Sequence, residues 1–180
     1  MSAEAATILL GFNVASLGSA YMADQCAIDL VEGNTQIEQV RALFREYGAS
    51  LGFSLCFQSF DAELAGLPGE YAPPDGRLLL ALCDWTPAGC VALRKLEDGI
   101  CEMKRLYVRP PFRGQGLGRD LVLTLIAQAR LSLYAKMRLD TIAASMTEAV
   151  RLYRSLGFRD IAPYCRNPIP GAAYLELGLG

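Results

Sequence analysis

The sequence contains no histidine among its 180 residues. This absence excludes catalytic triads, general bases and metal sites that depend on an imidazole. The cysteines form no C-x-x-C pair, and three of them lie in apolar runs typical of strands. We therefore interpret them as small core residues and expect no metal. They are Cys26, Cys56, Cys83, Cys90, Cys101 and Cys165.

Strong charge and long apolar segments are also missing. The formal net charge is -2 and the isoelectric point is near 5.2, whereas a duplex nucleic-acid binder normally shows a basic stripe. The apolar run at residues 8–14 is too short to span a bilayer, and no Lys or Arg precedes it as in a signal peptide. We expect a cytoplasmic protein without a nucleic-acid or membrane partner.

The chain length suits one domain with a full core and is too short for two. We expect this domain to occupy residues 26–180. Residues 1–24 are predicted to be a poorly ordered extension, with Met22 as an alternative initiator.

The most informative stretch of the sequence runs from Cys101 to Ala129. Its first part, through Val108, is apolar and aromatic enough for a buried strand, and two prolines follow soon after it. Residues 113–118 read R-G-Q-G-L-G, after which apolar residues recur at helical spacing. A strand therefore leads through a glycine loop into a helix whose first N–H groups lack internal partners. Such a turn can bind an anion.

Two well-known phosphate loops do not match this turn. A nucleotide-hydrolase loop requires a Gly-Lys pair, which is missing, and a dinucleotide fingerprint requires a glycine where Arg119 stands. The pattern that matches is Q/R-x-x-G-x-G/A, filled by Arg113, Gly116 and Gly118. Downstream, residues 149–158 read A-V-R-L-Y-R-S-L-G-F, similar to A-x-x-L-Y-x-x-x-G-F. Together the two motifs resemble those of the GNAT superfamily of N-acetyltransferases.

The resemblance implies a fold and a co-substrate. The predicted order of elements fits a single α/β (α+β) domain, in which a mixed, mostly antiparallel sheet of about seven strands is flanked by about four helices. Acetyl-CoA is the implied co-substrate, and no metal is implied. The implied cofactor-binding residues are Leu106, Tyr107, Val108, Arg113, Gly114, Gln115, Gly116, Leu117, Gly118 and Arg119.

The resemblance also implies two catalytic residues. Glu102 stands on the predicted central strand, where a carboxylate can remove the proton of an amine. The alternative is a solvated or ion-paired strand glutamate, with Lys104 or Arg105 as partner. Tyr153 stands where the family places a tyrosine near the cofactor sulfur, so its phenol can protonate the departing thiolate. The alternative is a core tyrosine.

Local patterns predict further details. Two capping boxes are expected to begin helices, and a hairpin is expected to follow the first helical region. The capping boxes pair Thr35 with Glu38 and Ser145 with Glu148. The hairpin joins residues 77–85 to residues 89–96 through residues 86–88.

The sequence predicts an acceptor side without identifying the amine. Residues 53–71 are expected to close over it, with Phe57, Phe60 and Tyr71 as aromatic candidates, unless they form only a helix and loop packed on the sheet. The loop at residues 164–171 is expected to face the same side. Its arginine, Arg166, either pairs with an acidic group of the acceptor or remains exposed.

Three functions fit these observations. We expect an N-acetyltransferase that acts on the primary amine of a small molecule by direct attack in a ternary complex. The alternatives are a protein acetyltransferase, acting on a lysine or an N-terminal amine, and a non-catalytic module that binds acyl-CoA. The sequence leaves homodimerization open.

Overall fold

The structure is a computed structural model that describes residues 26–55 and 59–180. The predicted extension at residues 1–24, together with Cys56 and Phe57, lies outside the described residues. The strands are β1 Cys26–Leu30, β2 Arg77–Cys83, β3 Thr86–Glu97, β4 Ile100–Val108, β5 Lys136–Ile142, β6 Arg159–Asp160 and β7 Ala172–Gly178. The helices are α1 Asn34–Ser50, α2 Phe60–Gly66, α3 Leu117–Leu131 and α4 Thr147–Ser155, with 3-10 turns at Gly69–Tyr71 and Pro110–Phe112.

The strands form one sheet in the order β1-β2-β3-β4-β5-β7-β6. Neighbouring strands are antiparallel except for β4 and β5, which are parallel. A parallel pair needs a crossover connection, and α3 supplies it. The described part of the chain therefore confirms the predicted fold, a mixed, mostly antiparallel sheet of seven strands with four helices.

Two apolar cores lie on opposite faces of the sheet. On one face, α3 packs Leu121 and Leu125 against a cluster that includes Leu93. On the other face, α1 packs Phe44 against a cluster that includes Leu80. The helical spacing of apolar residues after the glycine loop therefore marks a buried helix face, as predicted.

One extra residue interrupts the pairing of β4 with β3. Cys90 pairs with Tyr107, and Ala92 pairs with Lys104, so β4 holds one more residue than β3 between these two pairs. This is a β-bulge. Arg105 lies in the bulge with a φ of 58°, in the left-handed region.

The bulge changes which side chains of β4 face each side of the sheet. Met103 packs in the core beneath α3, and after the bulge Leu106 and Val108 pack against that same core. Arg105 and Tyr107 instead face α1, where their side chains contact the ring of Tyr47. Because of the bulge, the two adjacent cations of β4, Lys104 and Arg105, can both face the side of α1.

The predicted capping box at the start of α1 is wrong. The helix begins after Gly33 without a side-chain cap, and Thr35 lies inside it. Glu38 instead pairs with Arg41, one turn further along the helix, at 3.2 Å. The Glu38 carboxylate therefore forms an ion pair along the helix and does not take part in a cap.

The predicted capping box at the start of α4 is also wrong. The helix begins after Met146 without a side-chain cap. Ser145 directs its hydroxyl at the carbonyl oxygen of Ile142, at 3.5 Å, and Glu148 pairs with Arg151 at 2.7 Å. Both members of the predicted box therefore bond elsewhere.

The turn between β2 and β3 lies earlier than the predicted link at residues 86–88. Thr86 already pairs with the last residue of β2, so Asp84 and Trp85 form a two-residue turn. Their φ values are 48° and 63°, as in the primed turns whose twist matches that of the strands. Pro87, which suggested a turn, instead lies in β3 beside a register shift of the ladder.

The cysteine interpretation holds for Cys90 and Cys101, which are buried free thiols. It is wrong for Cys26, which forms a disulfide with Cys83, and for Cys165, which is exposed. The antiparallel register of β1 and β2 places the two bonded cysteines directly opposite each other, with a Cα–Cα distance of 4.0 Å. This pairing depends on register, which the spacing of cysteines does not reveal.

Candidate active site

A cleft of about 890 Å³ opens where β4 and β5 separate. The two strands pair only at residues 100–102 and 136–138. Beyond these positions, residues 103–108 of β4 and 139–142 of β5 line the cleft. Backbone groups of β4 that face the cleft can therefore pair with an extended ligand, as they would with an added strand.

The glycine loop forms one end of this cleft. Gly116 immediately precedes α3 and has a φ of 92°, a conformation that favours glycine. No side chain caps α3, so its first N–H groups point at the cleft end without a side-chain acceptor. At Gly118, an added Cβ would lie 3.7 Å from Val108 Cγ2, so the loop passes close to β4. The helix start can bind an anionic pyrophosphate.

Two arginines stand beside the glycine loop. Arg113 donates from Nε to the carbonyl oxygen of Val108 at 2.8 Å, and its guanidinium carbon lies 5.7 Å from the centre of the Tyr107 ring. Arg119 is within 3.4 Å of the Ser155 hydroxyl. Both arginines are exposed and can meet an anion. Apart from Gln115, the predicted cofactor-binding residues all line the cleft; they are Leu106, Tyr107, Val108, Arg113, Gly114, Gly116, Leu117, Gly118 and Arg119. Their binding roles stay predictions.

Tyr153 projects from α4 into the lining of the cleft. Its ring is buried against Phe158, with 5.8 Å between the ring centres. Burial raises the pKa of the Tyr153 phenol well above its usual value, and the nearby Tyr47 and Asp140 raise it further. The phenol therefore keeps its proton at neutral pH, as a general acid must. Its catalytic role stays a prediction.

Glu102 does not line the cleft, and its side chain is 1% exposed. Arg94 donates from Nε to Glu102 Oε2 at 2.7 Å, and the Tyr164 hydroxyl donates to Oε1 at 2.8 Å. Lys104 Nζ lies 3.7 Å from the same Oε1. These contacts match the ion-paired alternative for this residue, with Arg94 as the main partner. The role of Glu102 as a base stays a prediction.

A second buried ion pair faces the cleft directly. Lys104 Nζ lies 3.0 Å from Asp140 Oδ1, and the Asn167 side-chain amide donates to Asp140 Oδ2 at 2.8 Å. The side chains of Lys104 and Asp140 are 9% and 6% exposed, and all three residues line the cleft. Sequence reasoning missed Asp140. Its one signal is a single carboxylate within the apolar strand sequence L-D-T-I.

The bulge in β4 is tied to α2 by an ion pair. Arg105 donates from Nε and Nη2 to the two carboxylate oxygens of Glu63, and Tyr71 donates its hydroxyl to Glu63 at 2.6 Å. The ring of Phe60 lies 5.0 Å from the Arg105 guanidinium. Neither Phe60 nor Tyr71 lines the cleft, and both instead contact the Arg105–Glu63 pair. Their role at an acceptor site stays a prediction.

Apolar and aromatic side chains form another wall of the cleft. They come from the end of α1 and from the residues that follow it, and Leu55 is buried. The loop between β6 and β7 reaches the cleft through Asn167, whereas Arg166 is exposed and does not line it. The apolar wall consists of Tyr47, Leu51, Phe53 and Leu55.

Within residues 26–55 and 59–180, no group of three His, Cys, Asp or Glu side chains could hold a metal ion. Within the same residues, no helix has the length and apolar character needed to cross a bilayer. The described helix α1, for example, has 17 residues and carries several charges.

The profile of the Acetyltransferase (GNAT) family matches residues 38–158. This range contains both the glycine loop and the second motif at residues 149–158. The chain therefore belongs to the Acetyltransferase (GNAT) family. It is an acyltransferase that depends on acetyl-CoA as co-substrate.

Individual known proteins are similar over most or part of the chain. An uncharacterized N-acetyltransferase of Schizosaccharomyces pombe is 41% identical over 153 residues, which cover 84% of this chain and 93% of that protein. The N-acetylaspartate synthetase of Rattus norvegicus is 34% identical over 111 residues, which cover 61% of this chain but 37% of that protein. The structure of yncA from Salmonella typhimurium, solved with its cofactor acetyl-CoA, superimposes on this chain with a TM-score of 0.62 at 20% identity. The match covers 86% of this chain and 94% of yncA.

Proposed function

We propose that the protein transfers the acetyl group of acetyl-CoA to the primary amine of a small molecule, by direct attack in a ternary complex. One observation carries this proposal. The glycine loop and the buried Lys104–Asp140 pair line the same cleft of about 890 Å³. An anion site and a buried polar site in one cleft can hold a cofactor and an acceptor together.

The inner part of the cleft supports a small acceptor. Lys104 and Asp140 are less than a tenth exposed, so an amine that reaches them lies below the protein surface. Small-molecule sites are typically apolar concavities with a few placed polar groups, which describes the wall around this pair. The name of the Rattus norvegicus relative, N-acetylaspartate synthetase, also indicates a small-molecule product for that protein.

Each proposed role follows from what acetyl transfer requires. Acetyl-CoA supplies an activated acetyl carbon and a thiolate leaving group. The N–H groups at the start of α3 would bind its pyrophosphate, and the backbone of residues 106–108 would pair with its pantetheine arm and polarise the thioester carbonyl. Tyr153 would give its proton to the departing thiolate, and Glu102 would take a proton from the amine.

Labelled acetyl-CoA tests the proposal. The purified protein is incubated with pooled small-molecule amines in one reaction and with pooled peptides in another. We expect label to appear on a small amine and not on peptides. Labelled peptides alone would instead identify a protein acetyltransferase. Acetyl-CoA binding by calorimetry without transfer to either pool would identify a non-catalytic module.

Glu102→Gln tests whether Glu102 takes the proton of the acceptor amine. If it does, turnover falls mainly at neutral pH and partly recovers as pH rises, because more of the amine is then unprotonated. A pH–rate profile measures this change. The substitution also removes one charge from a buried ion-pair network, so we expect the free energy of unfolding to fall by about 3 kcal/mol.

The control for this experiment is Glu97→Gln. Glu97 is an exposed carboxylate that pairs with Arg138 at 2.8 Å, and it lies outside the cleft. Its profile should match the parent. If Glu102→Gln also follows the parent at every pH, Glu102 is a structural strand residue and the amine loses its proton to water or to another carboxylate.

A further inference from the structure

Asp140 and Glu102 are both buried carboxylates beside Lys104, but their surroundings differ. Glu102 has a second cation beside it, Arg94, at 2.7 Å, and lies outside the cleft. Asp140 shares Lys104 with Glu102, and among the described residues its other oxygen accepts from the neutral amide of Asn167. A carboxylate has about four lone-pair sites, so Asp140 can accept further hydrogen bonds from a ligand in the cleft.

Asp140 also stands at the reacting end of the cleft. It is the second residue of β5 beyond the last pair with β4, which joins Arg138 to Glu102. The charge of Asp140 contributes to the raised pKa of the Tyr153 phenol, which places the two side chains within electrostatic reach of each other. A group held by Asp140 therefore lies in the same cleft as the proposed general acid.

We propose that Asp140 binds the ammonium group of the acceptor and that the rest of the acceptor is apolar or aromatic. An ammonium is a strong hydrogen-bond donor to a carboxylate, and it would give Asp140 a second cationic donor beside Lys104, the one cation paired with it among the described residues. This inference rests on the proposed function and narrows its substrate class to amines that carry one positive charge and no acidic group.

The walls of the cleft support this class of acceptor. The cleft that holds Asp140 is also lined by Tyr47, Phe53 and Leu55, which suit an aromatic or alkyl group. The lining cations outside the glycine loop, Lys104 and Arg105, already have carboxylate partners, at 3.0 Å for Lys104 and through two hydrogen bonds for Arg105. Among the described lining residues, no unpaired cation is left for a carboxylate of the acceptor.

The electrostatic environment keeps Asp140 charged. Burial alone would raise the pKa of its carboxyl, but Lys104, Asn167 and Arg105 together hold this pKa below its ordinary value. Because a carboxyl with a lowered pKa is a weak base, Asp140 would bind the ammonium without taking its proton. One proton then leaves the ammonium for Glu102, the base proposed above, and the lone pair of the neutral amine bonds to the thioester carbon. As the C–S bond breaks, the thiolate takes a proton from Tyr153, and the second N–H proton of the adduct restores the Tyr153 phenol, so the products are an amide, a thiol and one released proton. The other titratable groups close to Asp140 are Glu102, Tyr47, Tyr153, Tyr164, Cys165 and Tyr174.

Kinetics with 2-phenylethylamine as acceptor test the proposal in the full chain. For Asp140→Asn, we expect the KM for this amine to rise about tenfold or more, as for the loss of a charge-assisted hydrogen bond, while the acetyl-CoA affinity stays within about twofold. The control is Glu70→Gln, which removes an exposed carboxylate from the same ion-pair network and should leave the KM unchanged. An unchanged KM in Asp140→Asn would overturn the assignment.

A binding measurement on the parent protein does not depend on how the variant folds. Calorimetry compares N,N-dimethyl-2-phenylethylamine, a tertiary ammonium that cannot be acetylated to an amide, with the neutral 2-phenylethanol. We expect the ammonium compound to bind at least about tenfold more tightly, because only it can pair with Asp140. Equal affinities would overturn the proposal.

L-Aspartate separates this inference from the proposed function. If the parent acetylates L-aspartate in preference to 2-phenylethylamine, the small-molecule function stands and the substrate class is wrong. Arg166, the exposed arginine of the β6–β7 loop, would then be the first candidate to bind the acidic groups. If the parent acetylates pooled peptides and no small amine, the proposed function itself is wrong.

Discussion

Gly116→Val is expected to abolish measurable acetyl-CoA binding while leaving the fold largely intact. The φ of 92° at this position is strained for any residue with a Cβ, and most of all for a β-branched one, at a cost of about 1–3 kcal/mol. Relief of this strain must move the start of α3, whose N–H groups are proposed to bind the pyrophosphate. We expect the affinity measured by calorimetry to fall about 100-fold or more, equivalent to about 2.8 kcal/mol.

Gly99→Val provides a matched control for the strain itself. Gly99 has a φ of 74° in the turn before β4, and nothing lies within 4 Å of an added Cβ there. Both variants should lose a similar amount of thermal stability, because both force valine into the left-handed region. Only the Gly116 variant should lose acetyl-CoA binding. Unchanged affinity in that variant would remove the glycine loop from the cofactor site.

Tyr153→Phe is expected to lower turnover about 100-fold, as for the loss of a general acid, with little change in acetyl-CoA affinity. The ring and its packing against Phe158 are retained, and only the hydroxyl is removed. Burial raises the pKa of the Tyr153 phenol, so the parent keeps the proton throughout the neutral and mildly alkaline range. The loss of turnover should therefore be nearly constant across that range, unlike the loss proposed for Glu102→Gln.

Tyr134→Phe is the control for Tyr153→Phe, because it removes the hydroxyl of a buried tyrosine that lies outside the cleft. Tyr134 donates its hydroxyl to the carbonyl oxygen of Asp75 at 2.9 Å and belongs to the core beneath α3. Its removal should lower stability by about 1 kcal/mol and leave turnover unchanged. If Tyr153→Phe behaves in the same way, Tyr153 is a core tyrosine and water must protonate the thiolate.

The glycine-loop end of the cleft could be predicted because its signals are local in sequence. The glycine loop, the strand before it and the helix after it occupy one continuous stretch, and the positive φ at Gly116 is what its glycine pattern indicates. Local patterns gave a wrong prediction where a side chain had an alternative partner. Glu38 and Glu148 pair with arginines on their own helices, so the capping boxes did not form.

The proposed acceptor side of the cleft could not be predicted because its contacts join distant parts of the chain. Lys104 and Asp140 are 36 residues apart, and they meet only because α3 returns the chain to place β5 parallel to β4. Arg105 and Glu63 are 42 residues apart and meet because the bulge directs the arginine toward α2. Neither contact belongs to a motif, and no short pattern in the sequence indicates either one.

The bulge at Arg105 has a consequence for the evolution of this protein. It divides β4 into a segment that precedes it, with Lys104 at the proposed acceptor side, and a segment at residues 106–108 that lines the proposed cofactor site. Substitutions before the bulge can change the accepted amine while the later segment keeps its register. Deletion of Arg105 would restore the regular alternation of the strand and leave residues 106–108 on their present faces, because Lys104 and Arg105 share one face. The same deletion would remove the arginine that pairs with Glu63 of α2. Point substitution before the bulge and loss of the bulge residue are therefore both open to this strand as routes to new acceptors.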